Sequence, residues 1–189
     1  MSSVALLQPK RFGDARGWFA EVYSETTFQG YGITERFVQD NHSLSIVQYT
    51  LRGLHFQTEP FAQAKLVRCV RGSIFDVAVD LRSKSPTFGQ WVGAELSAEN
   101  GNQLYIPVGF AHGFLTLEPM TEVVYKVSNV YSPACDCGLK WDDPAVGVIW
   151  PLPKGASPIL SDKDQRQPPL SEIGDVFEYD GTPMSLVQI

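Results

Sequence analysis

The feature that most constrains this chain is an octet of strict alternation, Ile74-Phe75-Asp76-Val77-Ala78-Val79-Asp80-Leu81. Side chains on a strand point to opposite faces with a period of two. Phe75, Val77, Val79 and Leu81 therefore share one face, and Ile74, Asp76, Ala78 and Asp80 the other. Such a run predicts a strand and does not suit a helix. Before it, Lys65 to Val70 reads as a second strand, with Arg71-Gly72-Ser73 as the connecting turn. Lys65, Val67 and Cys69 fall on one face of it, and Leu66, Arg68 and Val70 on the other.

The rest of the chain follows the same pattern. Trp91 to Leu96, Asn102 to Ile106, Ala111 to Leu117 and Glu122 to Ser128 read as short strands, with a turn at Asn100-Gly101 and breaks at Pro107-Val108-Gly109 and Glu118-Pro119. Phe12 to Val22, Arg36 to His42 and Val47 to Arg52 also look extended. Helical periodicity is nearly absent, and the best short helix is Thr26 to Gly30 behind a capping Ser24. Many short strands punctuated by Gly and Pro predict an all-β sandwich or jelly roll. Pro144 to Pro169 reads as an ordered coil wrapping that core, and Leu170 to Phe177 as a short helix. With 189 residues and no low-complexity linker, the expectation is one domain over 1–189.

Charge and cysteines narrow the function classes. A net charge of -6 repels nucleic acid and anionic lipid on average. Three cysteines, Cys69, Cys135 and Cys137, make no disulfide framework and fit a reducing, cytoplasmic compartment. No signal-peptide pattern opens the chain, and no apolar run is long enough to span a membrane. GxGxxG, GxxxxGK[ST] and GxSxG are all absent, so any diphosphate would be held by Arg and Lys side chains.

The three histidines, His42, His55 and His112, are the first candidates for chemistry. His55 lies in Leu51-Arg52-Gly53-Leu54-His55-Phe56-Gln57, where Gly53 permits a bend or a close approach. Arg52 and Lys65 sharing a pocket with His55 would favour its neutral form and suit a general base. An Asp on its far nitrogen would fix the tautomer, but the sequence does not say which Asp reaches it. The bland alternative is an Arg and a His at a strand edge, each satisfied locally. Tyr125 and Tyr131 are equally open as proton donors or as ordinary strand aromatics.

Pro107-Val108-Gly109-Phe110-Ala111-His112-Gly113 resembles the second half of the cupin signature. Cupin metal sites use more histidines than stand here, and position 57 carries Gln57. The reading is therefore a jelly-roll barrel with no metal site.

Taken together, Phe12-Gly13-Asp14-Ala15-Arg16-Gly17-Trp18-Phe19-Ala20-Glu21, Val38 to Ser43, Leu51 to Gln57, Gln63 to Cys69, Ile106 to Phe114, Tyr131-Ser132-Pro133, Trp141 to Pro144 and Leu160 to Asp164 resemble the dTDP-4-dehydrorhamnose 3,5-epimerase family. The resemblance runs over roughly residues 5 to 170 and implies a cupin jelly roll acting without a cofactor. It implies His55 as the catalytic base, Asp164 as its carboxylate partner, Tyr131 as the acid and Lys65 as the cation near the C4 oxygen. Arg52, His112, Gln39 and Asn41 would line the substrate pocket. Arg16, Phe19 and Glu21 would reach the nucleotide across a homodimer interface formed by the N-terminal segment, with 144–189 wrapping the core. The implied reaction is epimerisation at C3 and C5 of dTDP-4-dehydro-6-deoxy-D-glucose. Inversion at a single carbon, ketoisomerisation of a similar sugar nucleotide, and a sugar-nucleotide-binding barrel without catalysis stay open as alternatives.

Overall fold

The structure, a computed structural model, describes residues 1–189. Its strands are β1 Val4–Leu7, β2 Phe12–Asp14, β3 Gly17–Phe19, β4 Gln39–Ser45, β5 Leu51–Gln57, β6 Lys65–Arg71, β7 Ser73–Asp80 and β8 Arg82–Ser83. They continue as β9 Trp91–Ser97, β10 Gln103–Ile106, β11 Phe110–Thr116, β12 Thr121–Val127, β13 Asp136–Gly138, β14 Phe177–Glu178 and β15 Leu186–Gln188. The helices are α1 Glu25–Gly30 and the single turn α2 Asp162–Gln165.

Two sheets face each other, a six-stranded one in the order β15-β1-β10-β6-β12-β4 and a five-stranded one in the order β13-β5-β11-β7-β9. This is the cupin-like jelly roll. Its closed end is filled between the sheets by Val67 and Cys69 of β6, Ile74 and Ala78 of β7, Leu96 of β9, Leu104 and Ile106 of β10, and Phe110 and Phe114 of β11. The alternation of the octet is realised on both faces. Val77, Val79 and Leu81 pack outward into a second core with Val146, Trp150 and Phe177 of the C-terminal coil. Both faces of β7 are therefore buried, and Asp76 and Asp80 with them.

The open end is built from a different residue class. On β4 the cross-strand partners of Val123, Tyr125 and Val127 are Ser43, Asn41 and Gln39, so the inward face of this strand is polar. Cross-strand partners point to the same side of a sheet. A polar inward face cannot join an apolar core without cost, so it lines a cavity instead.

Boundaries differ from the sequence reading where local chemistry intervenes. Ser24 caps α1 by accepting from the Thr27 amide. Phe12 to Val22 is a short hairpin, β2 and β3, rather than one long extended run. The coil 144–169 contains α2, and the helix expected over Leu170 to Phe177 is a single 3-10 turn at Leu170–Glu172. Pro168 and Pro169 precede that turn, and Gly174 with φ of 70° closes it.

Candidate active site

The site begins with an irregularity in β5. His112 of β11 stands opposite His55, and Phe114 stands opposite Arg52, so two steps on β11 match three on β5. In a regular strand Arg52 and His55 would face opposite sides. The extra residue is a bulge, and it turns both side chains into the barrel. Gly53, with φ of 117°, makes it possible, because a Cβ there would lie 2.7 Å from the Gly113 Cα and from the His112 carbonyl. Gly113 answers in kind: its own Cβ would lie 2.7 Å from the Arg52 carbonyl. The two glycines let the strands approach where side chains would hold them apart.

Two cavities with shared lining residues open at this end, of about 410 and 240 Å³. His55, Lys65, Tyr125 and Lys163 line both. Arg52, His112 and Asp164 face the larger one, and Gln39, Asn41 and Tyr131 the smaller.

His55 meets Asp164 at 2.5 Å through Nε2. The partner comes from 109 residues away, carried by the C-terminal coil. That coil is tied to β5 by the Leu51 amide donating to the Ile159 carbonyl at 2.9 Å. Ser161 then caps α2, accepting from the Asp164 amide at 3.1 Å and donating to Asp164 Oδ2 at 2.9 Å. Burial pushes the Asp164 carboxyl up. The hydrogen bond and charge of His55, the Ser161 hydroxyl and the Lys163 charge outweigh it and hold the group below the usual carboxylate range. An ionised Asp164 accepts from Nε2–H, which leaves the lone pair on Nδ1.

His112 has its own carboxylate, Asp76, at 2.7 Å, and both are buried. Burial lowers the imidazole pKa more than Asp76 raises it, with Lys65 and His55 adding to the decrease. Lys65 is buried and donates to the His55 carbonyl at 3.2 Å, crossing from one sheet to the other. Burial lowers its pKa to about 8, against the opposing pull of Asp76 and Asp136. Arg52 is held by Ser45 Oγ at 3.2 Å and the Leu44 carbonyl at 3.1 Å.

Tyr131 sits on the loop between β12 and β13. Gln57 grips that loop on both sides of it, donating to the Val130 carbonyl at 3.1 Å and accepting from the Ser132 amide at 2.7 Å. Gln39 accepts from the Tyr131 amide at 3.3 Å. The position where a cupin ligand would stand thus carries a buried amide bound to a loop. No cluster of three or more His, Cys, Asp or Glu side chains is arranged to hold a metal. The Tyr131 phenol donates to Asp136 Oδ2 at 2.9 Å, and Lys163 forms an ion pair with the same oxygen.

The structure brings His55, Asp164, Lys65, Arg52, His112, Gln39, Asn41 and Tyr131 to this one end. Arg16, Phe19 and Glu21 line neither cavity; the first two lie exposed on the β2–β3 hairpin, and Glu21 accepts from Thr27 at 3.1 Å. His42 points outward to Glu122 at 3.0 Å. Sequence reasoning missed the roles of Asp76, Asp136, Lys163 and Gln57. Asp76 carried a signal, because it interrupts the Ile74 and Ala78 face that fills the core.

Comparison with known proteins gives a consistent result. The family model described as dTDP-4-dehydrorhamnose 3,5-epimerase matches residues 1–172. The dTDP-4-dehydrorhamnose 3,5-epimerase of Sinorhizobium fredii is 55% identical over 179 residues, covering 95% of this chain and 91% of the relative. Among solved structures, the Bacillus anthracis enzyme of the same name, crystallised with TDP and PPi, aligns with a TM-score of 0.84 at 52% identity over 87% of this chain and 92% of its own. An epimerase from Legionella pneumophila, in complex with dTDP-4-keto-L-rhamnose, gives 0.86 at 44% identity over 91% of each chain.

Proposed function

Since this chain belongs to the dTDP-4-dehydrorhamnose 3,5-epimerase family, we propose that its reaction, epimerisation at C3 and C5 of dTDP-4-dehydro-6-deoxy-D-glucose, runs on His55 as base and Tyr131 as acid. The C4 ketone acidifies the hydrogens on C3 and C5. Nδ1 of His55 takes one of them, and Asp164 on Nε2 stabilises the imidazolium that forms. Negative charge moves onto the C4 oxygen, where the buried Lys65 ammonium meets it. Tyr131 returns a proton from the opposite face of the sugar, and the centre is inverted. The scheme uses no redox cofactor, because the ketone is already in the substrate. Arg52 supplies charge-assisted hydrogen bonds for the sugar or its diphosphate, and His112, Gln39 and Asn41 shape the pocket around it.

The observation that carries this reading is the His55–Asp164 pair opening onto the same cavities as Lys65 and Tyr131. A single domain over 1–189 working as a homodimer completes it. The exposed Phe12, Trp18 and Phe19 of the N-terminal hairpin support a partner contact there, with Arg16, Phe19 and Glu21 serving the partner's nucleotide. Three free cysteines support a cytoplasmic setting, and no helix is long and apolar enough to cross a membrane.

The test is proton NMR in D₂O with the Tyr131→Phe variant. His55 should still exchange the hydrogens of C3 and C5 for deuterium, while inversion falls by about 10²-fold or more. Inversion at the rate of the unaltered chain would remove Tyr131 from the acid role.

A further inference from the structure

Inverting two carbons of one sugar creates a proton-accounting problem. Each inversion puts a proton on His55 and takes one from Tyr131. After the first, the acid is a phenolate and the base an imidazolium, and neither can serve the second carbon. The His55 side chain is 32% exposed and can shed its proton to water. Tyr131, 56% exposed in the free chain, must be reloaded once the sugar fills the smaller cavity that it lines.

We propose that Asp136 and Lys163 reload Tyr131 between the two inversions, so that both carbons are turned over in one residence of the sugar. This rests on Tyr131 being the acid. The phenol donates to Asp136 Oδ2 at 2.9 Å, and the Lys163 ammonium is paired to that same oxygen. One carboxylate atom thus joins the acid to a cation. Asp136 opens β13, the edge strand beside β5, and stands opposite Gln57, whose amide grips the Tyr131 loop. Lys163 adjoins Asp164 in α2, and its side chain is half-exposed at the rim of both cavities.

The step balances. An N–H bond breaks at Lys163 and an O–H bond forms at Asp136 Oδ2. That proton passes to the Tyr131 oxygen, restoring the phenol and the carboxylate. The neutral Lys163 amine takes a proton from water, matching the one His55 releases. At rest the hydrogen bond and then the charge of Asp136 raise the phenol pKa, so Tyr131 starts loaded.

A mere positioning role would be met by any residue that holds Asp136 in place. Lys163→Arg makes the distinction, because arginine keeps the ion pair but does not give up its proton in a protein. The experiment is a single turnover with enzyme in excess, quenched with borohydride, in which each 4-keto sugar is reduced to its own 6-deoxyhexoses and separated. In Asp136→Asn and Lys163→Arg a singly inverted sugar should accumulate, with the second inversion slowed about tenfold or more relative to the first. Equal slowing of both inversions, or a Lys163→Arg variant that behaves like the unaltered chain, would overturn the proposal. Lys163 is half-exposed, so its variant tests the idea even where Asp136→Asn fails to fold. Tyr131→Phe run alongside separates the failures. If it inverts both carbons, the acid assignment falls and this proposal with it. If it does not while both other variants match the unaltered chain, only the reloading falls.

Discussion

Two His–Asp pairs face each other across adjacent strands of one sheet. His55 and His112 are direct cross-strand partners, and each binds a carboxylate through Nε2. Their surroundings differ. The His55 side chain is 32% exposed and its Asp comes from a surface turn. The His112 side chain is 7% exposed, with an Asp from the middle of β7 that is wholly buried. The first is open to a substrate and to water. The second is nearly buried in the wall of the larger cavity, and burial lowers the pKa of its imidazole. In the proposed scheme the same two residue types make a base in one place and a fixed polar wall in the other. Environment decides, as it does when paired carboxylates in one site take different roles.

That contrast can be broken by changing the carboxylates. Asp164→Asn should lower kcat by about 10²–10⁴-fold with the melting temperature little changed. Asp76→Ala should do the reverse, costing about 1–3 kcal/mol in urea denaturation, because it strands the buried His112 N–H. A stable Asp76→Ala with an inactive active site would mean that the buried pair does chemistry.

The bulge that sets the two histidines opposite each other is the next target. Gly53→Ala puts a Cβ within 2.7 Å of backbone atoms on β11. It should destabilise the chain by about 1–3 kcal/mol or more and remove activity from what remains folded. Normal stability and turnover would show that the glycine does not hold the bulge.

The pH dependence sharpens the contrast from both sides. Raising pH through about 8 deprotonates Lys65 and removes the cation from the enolate oxygen, so kcat/KM should fall there, and Lys65→Arg should move that limb upward. On the acid side, burial holds His112 below its ordinary 6.5. The unfolded chain then binds more protons below that pH, so stability should drop as pH falls through it. His112→Asn should remove that part of the slope in denaturation curves taken across the range. The smallest effect is reserved for the third histidine. His42→Ala breaks an exposed contact with Glu122 and should change stability by about 0–1 kcal/mol and turnover not at all.

The octet of β7 and its neighbours made the all-β class legible, because burial of alternating apolar residues leaves few other solutions. The motif resemblance added the residues of the site. The bulge was harder to read, since Arg52 and His55 at a spacing of three fall on opposite faces of any regular strand. Gly53 hinted at it, but only its closeness to Gly113 explains it. The partner of His55 was legible only through the resemblance, because a contact over 109 residues is set by how the coil packs on β5. Lys163 lay in a matched segment without a role of its own, and Asp136 in none. Their meaning in the proposed scheme lies in sharing Asp136 Oδ2 with Tyr131, which no spacing in the sequence encodes.

In the proposed scheme the His55–Asp164 pair alone serves as base for both carbons. The direct measurement is deuterium wash-in at C3 and C5 by the His55→Asn variant, with His112 intact, followed by proton NMR of dTDP-4-dehydro-6-deoxy-D-glucose in D₂O. No enzyme-dependent exchange is expected at either carbon. Exchange continuing at one carbon at the rate of the unaltered chain would show a second base in the barrel and contradict that scheme.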